Sequence, residues 1–293
     1  MTASLGATKS TNVRPASALA WARRGVSTLN LLAPEAAARA AVHLFFRTRR
    51  VPARREELEV LDGASPFTVP FRGEELAAWS WGTGPTVLLV HGWNGRATQL
   101  GALVSPLVAS GFRVVAFDHE GHGGSSGSST SIGEMASAIA SVARAAGGVH
   151  GVVAHSLGAG STVLAITEGL AVEGVVLIAP PLTPEPWFRQ FGSALGLDEP
   201  ALKLACAAIE RRVGRRFDEL HVPTLARSID RRALIIHDRD DREIPIEAGE
   251  ALSYAWRGSR FLVTAGLGHH RILRSPGIVE SARRFLLDPV NAD

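Results

Sequence analysis

Short, mostly apolar runs punctuate the chain at Thr86 to Val90, Arg113 to Phe117, Gly151 to Ala154, Gly174 to Ile178, Ala233 to Ile236 and Phe261 to Val263. Each has the length of a strand, and the absence of polar alternation suits strands buried on both faces. Between them the apolar positions recur every three or four residues, over Ala97 to Ala109, Ser131 to Ala146, Leu157 to Thr167 and Ile278 to Leu287, which predicts helices. Strands alternating with helices imply an α/β fold, a mostly parallel central sheet with helices on both faces. A ligand site on such a sheet lies beyond the carboxyl ends of its strands. Glu56 to Leu61 and Glu75 to Trp81 read as an antiparallel pair that starts the sheet.

One interval breaks the rhythm. Between the runs ending near Ala179 and starting near Arg232 lie roughly fifty residues, where an ordinary connection has about 2 to 6. Within it Leu202, Cys206, Ile209, Val213, Phe217 and Leu220 recur at helical spacing and form one amphipathic face, with Trp187, Phe188 and Phe191 just upstream. The pattern predicts a helical insertion over residues 181–228, a small lid over the strand ends, set into a core made of residues 56–180 and 229–293. Residues 1–55 form an N-terminal arm and helix. Their first 28 residues are rich in Ala, Ser and Thr without periodicity and read as a mobile tail. From Pro34 onward Ala38, Val42 and Phe45 take helical spacing, with Arg39, Arg47 and Arg49 toward solvent.

Composition narrows the function. The 293 residues, 46% of them hydrophobic, suffice for one sizeable core. A net charge of +3, dispersed along the chain, argues against a nucleic-acid partner. The basic clusters Arg47 to Arg55 and Arg211 to Arg216 are interrupted by Val51 and Val213 and read as solvated surface. Cys206 is the single cysteine, which excludes an intramolecular disulfide, and no Cys/His spacing resembles a zinc site. The first 30 residues lack an unbroken apolar stretch of the secretory kind, and no apolar run is long enough to span a bilayer. These features lead us to expect a cytoplasmic protein without stable membrane insertion, its oligomeric state undetermined.

The candidate chemistry sits at strand ends. Val153-Ala154-His155-Ser156-Leu157-Gly158-Ala159-Gly160 follows one strand and opens a helix, the context of a nucleophile elbow, where small residues two before and two after the serine let the backbones approach. Ser156 is the candidate nucleophile, and the Leu157 N–H, at the positive end of the helix, one oxyanion donor. Leu88-Leu89-Val90-His91-Gly92-Trp93-Asn94-Gly95 follows an earlier strand and offers the Trp93 N–H as the second donor, with His91 buttressing the turn. The Trp93 side chain is open to two readings, pocket lining or packing. A serine needs a base and the base an orienting acid. Ile236-His237-Asp238-Arg239-Asp240-Asp241 runs into an acidic turn, and Phe261-Leu262-Val263-Thr264 leads to Gly268-His269-His270, giving the chain order Ser, Asp, His.

With these motifs the chain resembles the α/β-hydrolase superfamily over roughly residues 56–288. In that superfamily the acid turn commonly reads His-Gly-x-x-Asp with a proline four residues on, so the resemblance selects Asp241, framed by His237 and Pro245. Asp238 stands at the usual glycine, a departure that leaves Asp240 and Asp238 as substitutes. The superfamily histidine follows a glycine, which selects His269, with His270 in reserve. Asp118-His119-Glu120-Gly121-His122-Gly123 resembles a structural turn of the family, so His122 is not expected to be catalytic.

The reading is a serine esterase with the triad Ser156, Asp241 and His269, oxyanion donors Trp93 and Leu157, no cofactor and no metal, acting on a small-molecule, uncharged ester. The resemblance equally covers thioesterases, lactonases, amidases and C–C bond hydrolases, and a ligand receptor on the same scaffold that does not turn over its ligand. A serine nucleophile argues against the Asp-based dehalogenases and epoxide hydrolases.

Overall fold

The computed structural model describes residues 15–288. The described residues divide into two compact units, one of residues 15–45 and 185–212 and the other of residues 46–184 and 213–288.

The larger unit is built on one eight-stranded sheet. Its strands are β1 (Ser65–Phe71), β2 (Glu74–Trp81), β3 (Thr86–Val90), β4 (Arg113–Phe117), β5 (Gly151–His155), β6 (Gly174–Ile178), β7 (Arg232–Asp238) and β8 (Arg260–Thr264). The order is β1-β2-β4-β3-β5-β6-β7-β8, antiparallel at β1–β2 and β2–β4 and parallel from β4 through β8. Every residue of β3, β5 and β6 is buried, as a parallel strand between two helical layers requires. Helix Leu157–Thr167 is buried over its first nine residues, so it follows β5 through the inside of a layer rather than along the surface. Helix Ile132–Ala145 is capped by Ser131, whose hydroxyl accepts the Glu134 N–H.

The hairpin that opens the sheet differs from expectation. Glu56 to Leu61 is helical, with Arg55–Leu58 an α-turn and Glu59–Leu61 a 3-10 turn. The partner of β2 is β1, which pairs Pro66 with Trp79 and Pro70 with Glu75. A proline donates nothing to a ladder, so two of them disguise a strand in sequence, yet an edge strand accommodates both. Val60 and Leu61 instead pack on the core, and the Val60 carbonyl accepts the indole N–H of buried Trp81 at 3.0 Å. Helix Ile246–Ala255, between β7 and β8, had not stood out in the hydrophobic pattern.

The smaller unit contains helices Pro15–Leu32 and Glu185–Ala194, and all but the last residue of helices Pro34–Phe46 and Glu199–Val213. Ala37, Ala38 and Ala41 are buried, and Phe45 meets Phe188 edge-on, ring centroids 5.1 Å apart. Residues 15–28 are therefore helix rather than tail, while residues 1–14 of that expectation lie outside the described residues. The face expected to run from Leu202 to Leu220 is also interrupted. The helix ends at Val213, followed by Gly214 at φ +72°, and Phe217 and Leu220 belong to the larger unit. The insertion expected over 181–228 is accordingly shared between the two units. Among the described residues no helix is long and apolar enough to cross a membrane.

Candidate active site

Ser156 sits where β5 gives way to helix Leu157–Thr167, at φ +55° and ψ −129°. An L-residue at positive φ of this kind is strained, and here the neighbours hold it there. The backbone of His91 passes so close that a Cβ on Gly158 would collide with its carbonyl oxygen, and a Cβ on Gly92 would come within 2.8 Å of the Ser156 Cβ. The elbow therefore needs glycine at both positions. Ala154, fully buried in β5, is tolerated two residues before the serine.

Three distant segments converge on that serine. His269 Nε2 lies 3.0 Å from Ser156 Oγ, and His269 Nδ1 lies 2.7 Å from Asp241 Oδ2. A carboxylate only accepts, so Nδ1 carries the proton and Nε2 is the lone-pair nitrogen facing the hydroxyl. Asp241 Oδ1 accepts the N–H groups of Glu243 and Ile244 at 2.8 and 2.9 Å. Burial pushes the Asp241 carboxyl up, but the hydrogen bond from His269 and the two N–H groups outweigh it and hold the group below the usual carboxylate range.

The two other acids of the turn are occupied. Asp238 accepts N–H bonds from Asp240, Leu267 and Gly268 and the hydroxyl of Thr264. Asp240 Oδ2 accepts the Gly266 N–H at 2.6 Å. Both tie the acidic turn after β7 to the histidine loop after β8. His270 points elsewhere, with Nε2 2.9 Å from Glu243 Oε1.

On the other side of Ser156 stands the turn after β3. Among the described residues no hydrogen bond uses the N–H of Trp93 or of Leu157. The peptide group that carries the Trp93 N–H has its carbonyl on Gly92, and that oxygen is held by His91 Nδ1 at 2.7 Å and by the Gly95 N–H at 3.0 Å. His91 Nε2 in turn accepts the His119 N–H at 3.0 Å, which leaves the proton on Nδ1 and fixes the tautomer. His122 Nε2 accepts the N–H of Asn94, itself at φ +53°. Burial lowers the pKa of His91 to about 4 and that of His122 to about 3, so both remain neutral acceptors. Asp118, its carboxyl pushed up by burial, braces the same region through the N–H groups of Ala97 and Gly124. The Trp93 ring packs edge-on against His122, 5.7 Å between centroids.

The residues singled out from sequence at four strand ends thus meet in one place. Two neighbours went unnoticed. His155, buried beside the serine, directs Nε2–H to the His269 carbonyl oxygen at 2.9 Å, with burial keeping it far below the ordinary imidazole range. Its position next to Ser156 was the available signal. Glu243 brings Oε2 to 3.8 Å from His269 Nε2, a proximity that depends on how the acidic turn curls. An open cleft of about 560 Å³ lies beside His269 and Glu243, lined also by His270 and Arg271 among others. Among the described residues no group of three or more His, Cys, Asp or Glu side chains is arranged to hold a metal ion.

A family model described as serine aminopeptidase, S33, matches residues 83–246, more than half of the chain. The chain belongs to this family of α/β-hydrolases. Among individual proteins, it is 26% identical over 255 residues to a non-heme haloperoxidase of Rhodococcus erythropolis, covering 70% of this chain and 92% of that one. An esterase of Pyrococcus furiosus aligns with a TM-score of 0.62 at 19% identity, over 82% of this chain and 98% of that one. An esterase of Exiguobacterium antarcticum aligns with a TM-score of 0.61 at 18% identity, over 76% and 100%. At such identities the structural likenesses speak for the fold. The matched stretch holds β3 to β7, and with them the turn after β3, the elbow and the acidic turn of this hydrolase, while His269 lies beyond it.

Proposed function

We propose that this hydrolase is a carboxylesterase that cleaves small to medium esters with an uncharged acyl group through a covalent acyl-enzyme. The observation that carries the reading is the unbroken hydrogen-bond chain from Ser156 Oγ through His269 to Asp241. His269 Nε2 takes the hydroxyl proton as Ser156 Oγ attacks the ester carbonyl, and Asp241 holds the imidazole in the tautomer that has Nε2 free and stabilises the imidazolium that forms. The Trp93 and Leu157 N–H groups receive the developing oxyanion. The proton on Nε2 passes to the departing alcohol, the acyl group stays on Ser156, and water enters with His269 again as base. The strain at Ser156 serves this sequence, because such a strand-to-helix turn exposes the serine hydroxyl at the strand end.

Hydrolysis of p-nitrophenyl acetate, butyrate and octanoate by the wild type and by Ser156→Ala tests the proposal. Saturable turnover that falls about 10⁴-fold or more in the variant is the expected outcome. Tight ester binding with negligible wild-type turnover would identify a receptor instead. A fluorophosphonate adduct, mapped by peptide mass, is expected on Ser156, and an adduct on another residue sinks the assignment.

A further inference from the structure

We propose that the cleft beside His269 is the subsite for the alcohol half of the substrate and that Glu243 makes it select a cationic alcohol, such as an amino alcohol or a quaternary ammonium alcohol. The inference rests on the esterase reading and departs, on the leaving-group side, from the uncharged ester expected from sequence. It starts from one nitrogen. His269 Nε2 hands its proton to the departing oxygen, so that oxygen lies about 3 Å from it in the reacting complex. Glu243 Oε2 is 3.8 Å from the same nitrogen, and the alcohol must therefore leave past a carboxylate.

The other charges of the cleft do not occupy that place. The Arg271 guanidinium is turned back on its own loop, donating through Nε to the Leu267 carbonyl and through Nη2 to that of Gly266. Asp240 accepts the Gly266 N–H. Arg242 lines the cleft but forms no ion pair with Glu243 among the described residues. His270 takes the other oxygen of Glu243, Oε1, and so orients the carboxylate with Oε2 toward His269. Glu243 is fixed at its backbone as well, because its N–H donates to Asp241 Oδ1 and holds it beside the acid of the triad. A cation two carbons from the ester oxygen falls within reach of the carboxylate, whereas an anion there meets repulsion. The cleft is open and Glu243 is largely solvent-exposed, so the attraction is that of two charges near water, worth about fivefold in rate, or about 1 kcal/mol.

The test compares two esters of one shape, butyrylcholine and 3,3-dimethylbutyl butyrate, which differ by a quaternary nitrogen in place of a carbon. The ratio of their kcat/KM values is internal to each variant, so it is insensitive to a general loss of activity. Wild type is expected to favour the cationic ester about fivefold, Glu243→Gln to bring the ratio close to one, and Glu243→Lys to invert it. Raising the salt from low to molar concentration is expected to compress the wild-type preference, as screening demands. Turnover of both esters with a ratio that neither substitution changes overturns the role of Glu243 and leaves the esterase standing. Absence of Ser156-dependent turnover on either ester overturns the esterase reading and this one with it.

Discussion

Asp238, Asp240 and Asp241 show how one residue type acquires two duties within four positions. From sequence the family resemblance selects Asp241, with Asp238 and Asp240 as substitutes because each follows the same strand. The choice is made by which partners the curl of the turn brings to each oxygen: loop N–H groups to Asp238 and Asp240, the imidazole to Asp241. Asp241→Asn, which leaves the shape but lets the amide donate, is expected to lower kcat by about 10⁴-fold at neutral pH while the fold persists. Steady-state kinetics beside circular dichroism check this, and a loss below tenfold would remove Asp241 from the triad. Glycine matters at the same scale. Gly158→Ala places a methyl against the His91 carbonyl, and a cost of about 1–3 kcal/mol in urea unfolding is expected. An unchanged midpoint would show that the elbow has slack.

In the turn after β3 a side chain holds one end of a peptide whose other end carries the Trp93 N–H, the proposed oxyanion donor. His91→Ala removes the bond to the Gly92 carbonyl and frees the Trp93 N–H to rotate away. Losing an oxyanion donor typically costs about a hundredfold or more in kcat, and that is the expected loss, with KM for a p-nitrophenyl ester little altered. A kcat unchanged within twofold would mean that Gly95 alone fixes the peptide. Ser131→Ala, at the cap of helix Ile132–Ala145, is a change far from the chemistry, expected to cost about 1 kcal/mol of stability with no effect on kcat. Elements were legible where a single rule governed them. Strands β3, β4 and β6 and helix Leu157–Thr167 have the bounds that periodicity predicts, because burial on both faces leaves an unambiguous apolar run. Strand β1 was not, since tolerance of Pro66 and Pro70 is a property of the sheet edge. Helix Pro15–Leu32 was not either, its apolar and small residues mixing too evenly to mark a face.

Across the larger unit, five imidazoles, those of His91, His119, His122, His155 and His237, are driven by burial below their ordinary pKa of about 6.5. In the unfolded chain each takes a proton near that value, whereas in the fold His91 waits until about pH 4 and His122 until about pH 3. Unfolding within that window takes up protons, so stability declines as the pH falls below about 6.5. A thermal unfolding series from pH 8 to pH 4.5 is expected to show a plateau and then a steep fall in Tm that begins well above the carboxylate range. A flat Tm down to pH 4.5 would contradict the burial of these neutral histidines.

The amino-acid sequence by itself determined the alternating elements, the parallel sheet and the strand ends at which chemistry gathers, because apolar periodicity and glycine placement are local records of burial and backbone strain. It also offered Ser156 and the Trp93 and Leu157 amides as candidates through their motifs, and His269 and Asp241 through the family resemblance. Only the tertiary structure decided which aspartate meets the imidazole, that His155 braces the His269 backbone, and that Glu243 looks into the cleft. Those facts depend on loops from separate strands closing on one another, and a hydrogen bond between residues a hundred positions apart leaves no mark in either segment alone.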